Sequence, residues 1–196
     1  SKPGIGFKAL QIEGEAWERE FALGIFTNLV EKIATEVCRS KADVGSVKTL
    51  KIIHRTIIRE GFDIKLTPVR TFGDTLFARA LDCSGLTLIY LEVLERFGVE
   101  ARVVFGRDHI LIGVPRGKSL MYWETTEGRS ISDLALERRM SLVPESITSG
   151  AYLTPYPKEA ALGAVYLEMG LKKSLDAEYA DAEKFYRKTV ECCPVL

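Results

Sequence analysis

The stretch "LDCSGLTLIYLEVLERFGVEARVVFGRDHILIGV", residues 81–114, decides how this chain is read. Asp82 is placed to cap a helix, and Gly98 is placed to end one. Between them Leu86, Ile89, Tyr90, Val93, Leu94 and Phe97 recur at the spacing of a buried helical stripe, which predicts a helix from about Cys83 to Phe97. Cys83 therefore opens a helix, and His109 opens a run of strand type soon after. A lone helical cysteine is ordinarily a small buried hydrophobe. The question is whether this one is instead a nucleophile with His109 as its partner.

Three runs, "EARVVF", "HILIGV" and "SLMYWET", have strand character. The second and third read as a hairpin with its turn at residues 115–118 and with Arg116 and Gly117 at the tip. In that register Val114 faces Ser119, Leu111 faces Tyr122, and His109 falls opposite Glu124. Directly opposed residues place their Cβ atoms roughly 5 Å apart, within reach of a carboxylate–imidazole hydrogen bond. A thiol in the first turn of a helix lies near partly positive backbone N–H groups, which favour a thiolate. The pattern thus assigns Cys83 as nucleophile, His109 as base and Glu124 as the acid that orients it. The Cys83 N–H is one oxyanion donor, and a second is expected from the loop before Asp82. Arg107 and Trp123 are the candidate substrate-binding residues. Asp108 is a weaker orienting group than Glu124, and His54 is expected on a helix surface.

Working outward, residues 15–38 predict one long amphipathic helix, with Trp17, Phe21, Ile25, Leu29, Ile33 and Val37 every four residues and Phe26, Val30 and Ala34 beside them. Residues 46–60 predict a second, with Leu50, Ile53, Ile57 and Ile58 inward and Gly61 as its stop. "FDIKLTPVRTFGD" is broken by Pro and Gly and reads as loop or short extended chain. Helices first and an antiparallel sheet afterwards make an α+β fold. From about residue 151 the texture changes: "LTPYP" reads as a linker, and helices follow at roughly 157–170 and 177–192. The division expected is 1–150 for the α+β domain and 151–196 for a helical hairpin packed on it. Gly163, Tyr166, Gly170, Ala182, Tyr186 and Pro194 resemble a tetratricopeptide repeat carrying about seven extra residues between Gly170 and Ala182.

The chain of 196 residues suffices for one sizeable core. Lysine plus arginine and aspartate plus glutamate balance at 27 each, with no basic run, which argues against nucleic acid or an anionic membrane as partner. No apolar run approaches the roughly 20 residues of a membrane span. Cys38, Cys83, Cys192 and Cys193 match no zinc spacing and form no disulfide framework, favouring a reducing, cytoplasmic setting; an exported form with a removed signal stays open. No metal and no organic cofactor is implied.

The span from about residue 80 to 128, with "ALDCSGLTLIYLEVLERFGVEARVV", "DHILIGV" and "YWETTEG", resembles the transglutaminase-like superfamily within the papain-like cysteine enzymes. With its tetratricopeptide-like tail the chain is similar to the bacterial SirB1-type proteins. The resemblance implies a papain-like core and a catalytic triad of Cys83, His109 and Glu124, the last standing where Asp is common. It also implies cysteine-dependent acyl transfer or hydrolysis at a peptide or protein amide. The alternative is an inactive scaffold of the same fold that binds a protein partner through the C-terminal helices. Redox sensing at Cys192 and Cys193 is a third reading, resting only on their adjacency.

Overall fold

The computed structural model describes residues 3–14, 16–65, 70–150 and 152–196, without the side chains of Ala16 and Trp17. The Trp17 position in the expected apolar stripe, and residues 66–69 of the expected loop, lie outside what is described. The architecture is α+β. Helices α1 (Ile5–Ile12), α2 (Ala16–Ser40) and α3 (Val47–Arg59) come first. The short parallel pair β1 (Asp63–Ile64) and β2 (Ala80–Leu81) flanks α4 (Phe72–Phe77), and α5 (Cys83–Arg96) follows. An antiparallel sheet is then built from β3 (Arg102–Gly106), β4 (His109–Arg116), β5 (Ser119–Glu124), β6 (Arg129–Ile131) and β7 (Pro155–Tyr156), in the order β6-β5-β4-β3-β7. Helices α6 (Asp133–Arg139) and α7 (Pro144–Thr148) precede β7, and α8 (Ala161–Leu175) and α9 (Tyr179–Cys192) complete the chain. Among the described residues no helix is long and apolar enough to cross a membrane.

Helix α5 is the axis of the core. Asp82 caps it by accepting a hydrogen bond from the Gly85 N–H at 2.9 Å, and Gly98 ends it at φ +75°. Leu88 and Leu91 are as buried as the expected stripe, so the helix is apolar nearly all round and is wrapped by α1, α2, α8 and β4. The sheet is covered on both faces. Val103, Phe105, Ile110, Ile112, Val114 and Trp123 join the main core, whereas Val104, Leu111 and Ile131 pack with Leu136, Met140 and Leu153 on the other side. Two covered faces explain why β3 and β4 read as near-continuous apolar runs.

Several expectations are corrected. In α2 the buried line is Ala22, Phe26, Leu29, Val30, Ile33 and Val37, while Phe21 is exposed and stacks on Phe77 with ring centroids 4.9 Å apart. A strict four-residue step advances about 40° beyond a full turn each time, so Phe21 and Val37 cannot share a face. In α3 Ile52 is buried and Ile58 faces solvent. Part of the expected loop is α4, started by a capping box in which the Thr71 hydroxyl accepts from the Asp74 N–H and the Asp74 carboxylate accepts from the Thr71 N–H. The expected linker is in part strand: Val103 pairs with Tyr156 and Val104 with Pro155. In the C-terminal hairpin the two helices approach at Gly170, where an added Cβ would lie 2.6 Å from the Tyr186 ring. Ala160, Ala161, Val165 and Cys193 belong to the main core.

Candidate functional site

Strands β1 and β2 set the start of α5. Asp63 lies beside Ala80 and Ile64 beside Leu81, and the Lys65 N–H donates to the Leu81 carbonyl at 3.0 Å. Gly85 allows close packing, since a Cβ there would be 3.2 Å from Leu81 and 3.3 Å from Thr75. Cys83 is thereby fixed at the first residue of α5, half-buried and free of any disulfide. Its backbone N–H belongs to the first turn, where a helix offers no carbonyl partner.

His109 enters from the other side. Gly106 pairs with His109 across a tight turn made of Arg107 and Asp108, with Asp108 at φ +53°. The β4–β5 register differs from the expected one. Arg116 pairs with Ser119, leaving Gly117 (φ +58°) and Lys118 as the turn, and Ile112 pairs with Trp123. Every partner is displaced by two positions, so Glu124 continues the ladder beside Leu111 rather than His109. An even displacement leaves side chains on the same face, and the diagonal pair remains within reach. His109 Nε2 donates to Glu124, at 2.8 Å from Oε2 and 3.0 Å from Oε1. The same imidazole is hydrogen-bonded to the Cys83 side chain. With Nε2 committed to the carboxylate, Nδ1 is the nitrogen left for sulfur.

Glu124 is fully buried, and its charge is supported on several sides. Oε1 accepts from the Thr126 N–H at 3.2 Å and the Thr126 hydroxyl at 2.7 Å, and Arg139 Nη1 stands 3.7 Å from Oε2 while also pairing with Glu127. Burial pushes this carboxyl up, but the His109 hydrogen bond and charge and the Thr126 bonds outweigh it and hold the pKa below the ordinary value. For His109 burial acts downward. Hydrogen bonds to Cys83 and Glu124 and their charges win, and the imidazole is pushed up to about 9. The carboxylate and the imidazolium each sustain the other.

These groups open into a cleft of about 340 Å³. Its lining comes from Ile64 and Lys65 at the end of β1, Asp82 and Cys83 at the head of α5, Arg107, Asp108 and His109 at the β3–β4 turn, and Thr126, Arg139 and Met140 beyond β5. Arg107 lies where a substrate-contacting residue was expected. Trp123 does not: it is fully buried, it faces the Tyr90 ring with centroids 6.5 Å apart, and it is not among the residues that line the cleft. Its neighbour Glu124 carries the polar group at this end of β5. His54 is also displaced from its expected surface role. It is half-buried, donates a ring N–H to the Thr125 backbone carbonyl, and fills the space beside Gly128 that a Cβ there would occupy.

Sequence reasoning missed three further groups. Arg139 was out of reach because α6 is too short to show a period. Thr126 was legible, since a hydroxyl two residues beyond an acid is a common local partner. The third is a pair of interacting carboxyls, Glu13 and Glu168, the latter also acting on Cys83. Glu13, at the end of α1, accepts from the Phe72 and Gly73 N–H groups at 2.7 Å each, and burial still pushes its pKa up to about 7. Glu168, from α8, is hydrogen-bonded to Ser84; burial, reinforced by the nearby Asp82 charge, pushes it well above the carboxylate range. Both side chains come from elements distant in sequence, and no local pattern marks them. Among the described residues no group of three or more His, Cys, Asp or Glu is placed to hold a metal ion.

Comparison with protein-family models and with curated proteins finds no match for this chain.

Proposed function

We propose that the protein is a cysteine-dependent enzyme acting on an amide bond, of the transglutaminase-like type within the papain-like group. The observation that carries this reading is His109 held between Cys83 and a buried, charged Glu124 at the floor of a cleft. The order of elements supports it too: a nucleophile at the head of the central helix, a base at the start of a following strand, and an acid one strand later.

The chemistry proceeds from that arrangement. The Cys83 thiolate attacks the carbonyl carbon, forming the S–C bond and placing negative charge on oxygen, towards which the Cys83 N–H donates. His109, as imidazolium, protonates the nitrogen as the C–N bond breaks, and the amine leaves a thioester behind. Water, or an acceptor amine, then attacks the thioester while His109 takes its proton, and sulfur departs as thiolate. Glu124 holds the ring by Nε2 so that Nδ1 faces sulfur throughout. No metal or organic cofactor enters this sequence.

The test is the rate of iodoacetamide alkylation at Cys83 against pH, resolved from Cys38 and Cys192 by peptide mass spectrometry, in the native protein and in His109→Ala. Alkylation already fast below pH ~7 and slowed there by the substitution is expected. A rate that climbs only near the ordinary thiol pKa of ~8.5, and is indifferent to His109, assigns the fold to scaffolding instead.

A further inference from the structure

The charges around the cleft are unequally committed. Asp82 is the cap of α5 and Glu124 lies buried beneath His109, while Arg139 is engaged by Glu124 and Glu127. Among the described residues Lys65 pairs only with Asp63, at 2.6 Å, and both side chains are more than 60% exposed, so that pair is readily exchanged for another anion. Arg107 is exposed on the β3–β4 turn, and among the described residues it has neither an ion pair nor a side-chain hydrogen bond. Asp108 beside it is exposed as well, but its arm is short, whereas a guanidinium on three methylenes has the longer reach. Lys65 and Arg107 thus both line the cleft, together with the capping Asp82 and the short-armed Asp108. A cleft of about 340 Å³ is at the lower end of small-ligand sites and suits an acyl group of amino-acid size.

We propose that the cleft selects an acyl donor bearing a carboxylate close to the reacting amide, with Arg107 and Lys65 holding that carboxylate and Asp108 limiting its attraction. The proposal rests on Cys83 being the nucleophile. It names the donor by its charge: an acidic or C-terminal acyl group is taken in preference to a neutral one of equal size.

Iodoacetate and iodoacetamide provide the probe, because both form an S–CH2 bond and expel iodide and they differ in charge alone. The ratio of their rates at Cys83 is measured at low salt and pH 8.5, where thiols of any kind react, so a general change in reactivity cancels. Arg107→Ala and Lys65→Ala are each expected to lower the iodoacetate-to-iodoacetamide ratio roughly three-fold, and Asp108→Asn to raise it by a similar factor. That is the effect of one exposed charge at close range. Adding salt to 0.5 M is expected to flatten all three differences. A ratio indifferent to all three substitutions overturns the proposal, whatever the nucleophile does. A ratio that follows them, beside slow and His109-independent alkylation below pH 7, keeps an anion-binding cleft but removes its reaction.

Discussion

Replacing Glu124 by glutamine removes a charge and almost no volume, and its effect should be readable at His109. The imidazole is pushed from 6.5 to about 9, a preference for the charged ring of roughly 3 kcal/mol. Two partners, Cys83 and Glu124, provide that lift against burial, which pulls the other way. Loss of the Glu124 charge, with burial still pulling the ring down, is expected to lower the midpoint by on the order of one pH unit. The assay is the pH titration of the ring Cε1–H resonances by NMR. There are two histidines, and His54, held below 6.5 chiefly by burial, serves as the internal control. In the native protein the His109 midpoint is expected near 9, and in Glu124→Gln below about 8, with His54 unmoved. The sign carries into stability. His109 binds its proton more tightly folded than unfolded, so its contribution is complete below about pH 6.5 and disappears as pH rises through about 9. Glu124, held below 4.5, contributes above that value and loses its contribution as pH falls through its lowered pKa. A His109 midpoint within about 0.3 of the native value in Glu124→Gln would show that the hydrogen bond at 2.8 Å does not govern the imidazole, and the triad reading would lose its support.

Two further outcomes are expected. Glu13 has its folded pKa raised from 4.5 to about 7, so the native protein should lose stability as pH rises through that interval, by up to about 3 kcal/mol; in Glu13→Gln, urea denaturation at pH 5 and pH 7.5 should show that slope largely gone. Gly128 sits at φ +63° with the His54 ring 2.4 Å from the place of a Cβ, so Gly128→Ala should destabilise by about 2 kcal/mol in denaturant and shift the His109 midpoint, because the turn that bears Thr126 is disturbed.

What the sequence made legible is the local part of the site. The cap at Asp82, the stripe of α5, its stop at Gly98 and the face shared by His109 and Glu124 all follow from periods and turn residues within a few positions of one another. The β4–β5 register was two positions off because Arg116–Gly117 and Gly117–Lys118 are both acceptable turn centres, and only the glycine at positive φ in the first turn position decides between them. The Thr71–Asp74 capping box was in plain view, but Gly73 inside the helix obscured it. Arg139 reaches the site, and Glu168 the surroundings of Cys83, through tertiary packing alone, and no spacing in the chain announces such contacts.

The two residues of β7 have a consequence for how the protein is made. Val103 and Val104 lie on the rim of the sheet until Pro155 and Tyr156 arrive to pair with them. A nascent chain that has emerged as far as residue 150 already holds Cys83, His109 and Glu124, yet its sheet still ends in an open, apolar strand able to recruit a neighbour. The proline in the late strand can seal that rim without presenting a new donor of its own. Completing β7 is thus expected to cover that rim, and a chain cut near residue 150 is expected to aggregate rather than form a smaller working unit.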